Sequence, residues 1–208
     1  MPYNGFARLC KWECPEEPYT MNNNIATEIE LNRNDVMRGI HWDNPFTLNL
    51  NVVLGLTTLT TVIGVFNASP DKTIHFNLAM ETLFRIRSIK HCQIYGLQNN
   101  EYIDHVKCVR RIDDDLAPLI ITERIDRIYP KVKRKVKIID LLEGRKIIIK
   151  KVNFPDICVL NPWIGEYEQM ISVIPGYIAS IVKLPPNEWF YAGQRIEILP
   201  LLPDQQIN

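Results

Sequence analysis

The chain has no run of about eighteen apolar residues, no charged segment leading into an apolar stretch at its start, and no net charge. Its 24 Lys and Arg balance 24 Asp and Glu over 208 residues. The missing apolar run excludes a helical membrane span. The start M-P-Y-N-G-F-A-R shows no secretory leader, so the expected location is cytoplasmic, with no membrane partner. Charge balance removes the global field that would steer the chain to nucleic acid, and no nucleic-acid partner is expected. Paired cysteine chemistry is missing as well. The five cysteines, Cys10, Cys14, Cys92, Cys108 and Cys158, are odd in number and scattered, as are the four histidines. Such usage suits reduced thiols rather than a disulfide framework. Cys10 and Cys14 have no second pair at ligand spacing, so no metal is expected, and no cofactor. Helical periodicity with caps is hard to find, and there is no repeat, low-complexity tract or linker. A single domain over residues 1–208 is the simplest expectation.

What the chain does have is strands. In Phe46–Leu54, Phe46, Leu48, Leu50, Val52 and Leu54 alternate with Thr47, Asn49 and Asn51, the pattern of a half-buried strand. Gly55 then marks a tight turn into residues 57–66, rich in Thr and Val, so the two runs read as a hairpin. Residues 67–71, N-A-S-P-D, are turn chemistry. Further strands are expected at residues 25–31, 92–97, 120–123, 135–140, 145–152, 157–160, 170–173, 178–184 and 188–199. Many short strands with turn signals about every ten residues predict an antiparallel sandwich. Short connections make residues 46–54, 57–66 and 74–80 expected neighbours in one sheet.

The stretch I-H-F-N-L-A-M-E-T-L-F-R-I-R over residues 74–87 sets an acid inside a strand-like apolar run. Alternation puts Phe76, Leu78 and Met80 on one face and Asn77, Ala79 and Glu81 on the other. A carboxylate there needs water or partners, because an unpaired buried charge is costly. Glu81 is therefore either a solvent-facing side chain or the floor of a pocket. Two other charged runs have plainer readings. K-V-K-R-K-V-K over residues 131–137 reads as a strand with one solvated basic face, lacking the aromatics of a nucleic-acid surface. Asp113, Asp114 and Asp115 lack the spacing and glycine of a calcium loop and read as an exposed loop.

Several blocks in order resemble a known family. N-G-F-A-R at residues 4–8 with Trp12 and Glu13, then A-M-E-T-L-F at 79–84, G-L-Q-N-N-E-Y-I-D at 96–104, T-E-R-I-D-R-I-Y at 122–129, N-P-W at 161–163 and P-G-Y at 175–177 are similar to successive blocks of the glucose-6-phosphate 1-epimerases. These are hexose-6-phosphate mutarotases of the aldose-1-epimerase superfamily. The resemblance implies an all-β fold, the antiparallel β-supersandwich of the galactose-mutarotase type, lacking that family's N-terminal strands. It also implies a hexose 6-phosphate or another sugar as ligand, with Arg8 and Asp126 contacting it and Tyr3, Asn4 and Trp163 as pocket wall. Arg8, Glu81 and Asp126 are expected to converge on one concave face, with Trp163 and Ile174 near it.

The departures concern the catalytic pair. Glu81 stands where the family has its catalytic His, and Ile174 stands where the family has its general-base Glu. Exchange of anomers needs a base at the C1 hydroxyl and an acid at the ring oxygen, each worth about 10²- to 10⁴-fold. Ile174 can supply neither. Glu81 beside Asp126 in a partly dry pocket would supply one role at most. The resemblance so read implies a carbohydrate-binding protein with impaired catalysis; the alternative is an active hexose-6-phosphate 1-epimerase.

Overall fold

The computed structural model describes residues 5–32, 42, 44–112, 116–133, 135–161 and 167–202. Asp113, Asp114 and Asp115 lie outside them, as do Tyr3, Asn4 and Trp163. The strands in chain order are β1 (Tyr19–Met21), β2 (Asn24–Asn32), β3 (Phe46–Leu54), β4 (Thr58–Asn67), β5 (Ile74–Ala79), β6 (Leu83–Arg85), β7 (Cys92–Tyr95), β8 (Glu101–Asp104), β9 (Val109–Ile112), β10 (Leu119–Ile120), β11 (Ile125–Tyr129), β12 (Val136–Asp140), β13 (Arg145–Val152), β14 (Asp156–Asn161), β15 (Met170–Leu184) and β16 (Trp189–Pro200). Helical content among the described residues is limited to three short 3-10 turns. The fold is thus antiparallel β, as the alternation predicts. The backbone divides into two compact units.

The first unit takes residues 1–76 and 182–193. Its strands run in the order β1, β2, β3, β4 and the first part of β16. Asn22 and Asn23, at φ 49° and 62°, form the two-residue turn that closes the Met21↔Asn24 pair. Asn tolerates that left-handed backbone, and it matches the twist of a hairpin. The β3–β4 hairpin forms as expected, with Gly55 N donating to Thr58 O at 2.8 Å. Burial fades along β3, from Phe46 and Leu48 in the core to Leu54, 55% exposed at the hairpin tip. Phe46 packs against Phe6 at 5.7 Å and Trp42 at 6.2 Å between ring centroids.

The expectation that residues 74–80 would neighbour this hairpin is not met, because β5 lies beside β15. The turn after β4 explains it. Asn67 is fully buried, and its amide donates to the carbonyls of Lys72, Leu184 and Pro185 at 2.8, 3.0 and 2.9 Å. That side chain ties the connection to the end of β15, so the chain leaves β4 instead of folding back onto it.

The second unit takes residues 77–181 and 194–208. One sheet has the order β16, β13, β12, β7, β10, and the other β5, β15, β14, β11, β8, β9, with β6 also on β15. Ile94, Val136, Ile138, Ile147 and Ile149 of the first and Tyr129, Ile157, Val159, Ile171 and Val173 of the second are 2% exposed or less. Each such aliphatic side chain contributes roughly 1.5–3 kcal/mol on burial, so this face is the core of the unit. Two expectations change here. Residues 170–173 and 178–184 form one strand, β15, running through Pro175. The Pro175 carbonyl accepts from Met80 N at 3.0 Å. An extended residue turns its N and C=O to the same side, so the missing N–H lies on the Met80 side, just past the end of β5, and the pairing of Pro175 with Ile157 on β14 continues. Likewise the basic run is not strand at residues 131–133 and 135, and β12 begins only at Val136. Lys131, at φ 54°, donates its backbone N–H to Asp156 Oδ1, and Val132 and Val136 are buried.

Candidate functional site

The second sheet of this unit has its core face on Val159 and Val173, and alternation turns Cys158 and Ile174 to the opposite face. There Ile128, Cys158 and Ile174 stand side by side on β11, β14 and β15. They form a cluster only 7–8% exposed, flanked by Leu160 and Ile178.

Glu81 reaches this row through an interrupted strand. Leu83 pairs with Ser172, and Met80 N bonds to Pro175 O, so β5 and β6 follow a single register along β15 with a break at residues 80–82. Continuing two residues from Leu83↔Ser172 brings Glu81 opposite Ile174. The side chain is exposed, on the same face as Asn77 and Ala79. Thr82, beside it, accepts a bond at 2.9 Å from the buried amide of Gln194 on β16, which anchors the break. Gly176 permits the close approach of β5. A Cβ there would lie 2.8 Å from Ala79 Cβ and from Leu78 O.

Asp126 arrives from the other side. It lies two residues before Ile128 on β11, hence on the same face, with its side chain 27% exposed. Cys158 Sγ donates to Asp126 Oδ1 at 3.9 Å, and His105 Nδ1 lies 3.8 Å from Oδ2. Burial pushes the Cys158 thiol up to about 12, and the charges of Asp126 and Glu81 and the bond to Asp126 add to the effect. Both carboxylates therefore act on one thiol. Behind the face, Arg127 Nε donates to Asp104 Oδ2 at 3.0 Å, and the guanidinium sits 4.5 Å from the Tyr102 ring centroid. Burial alone would raise the Asp104 carboxyl; bonds from Lys107 N, Arg127 and Val106 N outweigh it and hold the group below its ordinary value. The same bonds pin the turn that presents His105.

Glu81, Asp126 and Ile174 are thus gathered around Cys158. Arg8 belongs to the first unit, exposed on the 3-10 turn Ala7–Leu9. His105 and Cys158 were not expected in the group. Cys158 is hidden in the apolar run I-C-V-L, and His105 merely follows the Y-I-D block; only the register of Asp126 between them gives the signal. Chemically, the face offers two carboxylates and an imidazole as hydrogen-bond partners for hydroxyls around an apolar strip. Of the two readings of Glu81, the exposed one holds within this unit, and the Asp126 side chain is 27% exposed.

Comparison with known proteins bears on this arrangement. The sequence profile of the family described as Aldose 1-epimerase matches residues 1–187. A Cenchrus ciliaris protein provisionally named a glucose-6-phosphate 1-epimerase is 24% identical over 201 residues, covering 89% of this chain. The chain spans only 61% of that relative's length. YeaD of Salmonella typhimurium, provisionally named a mutarotase, superposes with a TM-score of 0.83 at 19% identity, over 96% of this chain and 68% of its own. Slr1438 of Synechocystis sp. PCC 6803 gives 0.81 at 16% identity, over 94% and 68%. These likenesses establish a galactose-mutarotase-type fold, and with the profile match over residues 1–187 the chain belongs to the aldose 1-epimerase family.

Proposed function

We propose that the face bearing Glu81, Asp126 and Ile174 binds a sugar, in the first instance a hexose 6-phosphate, without exchanging its anomers at an enzymatic rate. The observation that carries this reading is the position of Ile174, opposite Glu81 and beside Cys158 in an apolar row. Anomer exchange needs two proton-transfer groups across the ring, and a neutral hydrocarbon is no such group. The Cys158 thiol does not replace it, since a thiol held at about 12 is not a base at neutral pH. Asp126 and His105 remain available to bond hydroxyls. The resemblance separately implies Arg8 as a substrate-binding residue.

The test is anomer exchange on glucose 6-phosphate, coupled to a dehydrogenase specific for one anomer, alongside equilibrium binding of the same sugar. The expected result is saturable binding that Asp126→Ala abolishes, with exchange at the uncatalysed rate. Ile174→Glu combined with Glu81→His should restore at most a trace. The new carboxylate enters a nearly buried apolar cluster, which costs several kcal/mol unless it finds partners. A native turnover on the order of 10 s⁻¹ would show that Glu81, Asp126 or His105 supplies the missing base, and the chain would then be an active epimerase.

A further inference from the structure

A cavity of about 240 Å³ in the second unit is lined by Arg85, Ile86, Arg87, Glu143, Arg145 and Gln169. Arg85 ends β6, four residues beyond Glu81, so at about 3.3 Å per residue the two lie roughly 13 Å apart along the chain. The cavity is organised from beneath by Asp140, which is fully buried. Its carboxylate accepts from Arg87 N at 3.1 Å, from Glu143 N at 3.4 Å and from Arg145 Nη2 at 3.5 Å. Arg145 Nη2 also donates to Arg85 O at 2.6 Å, which fixes the guanidinium against the base of β6. Its Nε is nevertheless buried with no acceptor among the described residues. A buried donor so left is costly, and an acceptor arriving from outside would relieve that cost. The guanidinium groups of Arg85 and Arg87 have no ion-pair partner among the described residues. Three cations thus line the cavity; Arg145 is paired with the buried Asp140, and Glu143 is the lining carboxylate, so positive charge exceeds negative by one.

We propose that this cavity binds a phosphate group, held by Arg85, Arg87 and Arg145. Guanidinium forks match phosphate oxygens and give short charge-assisted bonds, whereas a neutral ligand would leave Arg85 and Arg87 without a counter-charge. Glu143 and Gln169 can accept from and donate to hydroxyls if the phosphate carries a hydroxylated substituent. The proposal is independent of the sugar-face reading, since it shares no residue with Glu81, Asp126 or Ile174.

The test is titration of the isotopically labelled chain with inorganic phosphate and, separately, glycerol phosphate, at low ionic strength against chloride controls, following backbone amide shifts. Saturable shifts are expected at Ile86, Arg87, Glu143 and Arg145. Arg85→Gln and Arg87→Gln should each weaken binding by roughly tenfold or more, with the melting temperature unchanged because neither guanidinium carries an ion pair in the fold. Equal binding of both probes would mean that the phosphate alone is recognised; tighter binding of glycerol phosphate would mean that the cavity also reads hydroxyls. Either result supports the site. No saturable shift with either probe, or shifts that both variants leave unaltered, would overturn it.

Discussion

The Cys158 thiol donates to Asp126 Oδ1 across the β14–β11 pair, at 3.9 Å. Two groups that meet a ligand face are thereby tied to each other, and the charge of one suppresses ionisation of the other. Cys158 should resist alkylation at pH 8 while the exposed Cys14 and Cys108 react. Asp126→Asn removes a negative charge beside the thiol, so its pKa falls and its alkylation rate rises. Mass-spectrometric mapping of labelling against pH reads both effects. Equal labelling of Cys158 and Cys14 in the native chain would contradict the geometry.

Alkaline stability follows from the same thiol and from Cys92, which burial and the charge of Asp140 also push up to about 12. Both groups start from an unfolded value of 9.0, so the unfolded state loses its protons first. The folded state binds more protons between pH 9 and 12, and stability must fall as pH rises through that window. The loss reaches about 1.4 kcal/mol per thiol at pH 10. Denaturant melts at pH 8 and 10 should show it, and Cys158→Ala should remove its share.

The ion pair behind the face should be a strong determinant of stability. Asp104 and Arg127 have side chains 3% and 16% exposed. Removing one partner leaves the other charge nearly buried, so Asp104→Ala is expected to cost about 3–5 kcal/mol by chemical denaturation. The Asp104 carboxyl sits below its ordinary 3.8, so its contribution is present above that pH and declines as the solution is acidified further. A loss under 1 kcal/mol would show that neither the pair with Arg127 nor the bonds from Val106 N and Lys107 N to this carboxylate carry stability.

Gly176→Ala tests the interrupted strand. The added methyl meets Leu78 O and Ala79 Cβ at 2.8 Å, so β5 must move away from β15. Destabilisation of about 1–3 kcal/mol is expected, with faster amide exchange at Met80, whose N–H bonds to Pro175. An unchanged exchange rate at Met80 would show that β5 is held by other contacts.

The strands legible in the sequence are those with one apolar and one polar face, such as β3, whose ends coincide with the expected ones, and β13. β11 has no such pattern. Its two faces carry Asp126 with Ile128, and Arg127 with Tyr129, so charge appears on both sides. Arg127 is tolerated toward the core because Asp104, on β8, neutralises it. Nothing local to residues 125–129 announces that partner, which comes from 23 residues earlier in the chain.

By itself the sequence determined the strand class, the β3–β4 hairpin and, through the order of its blocks, the family. These follow from alternation, turn residues and local motif spacing, all carried by near neighbours in the chain. Only the tertiary structure decided that β5 joins β15 instead of β4, that residues 170–184 are one strand, that Glu81 stands opposite Ile174, and that three arginines from β6, its following turn and β13 share a cavity. Each depends on pairing between segments distant in sequence. The free energy of such pairing lies in cross-strand bonds and in side chains such as Asn67 and Asp140, which bind backbone groups of other segments.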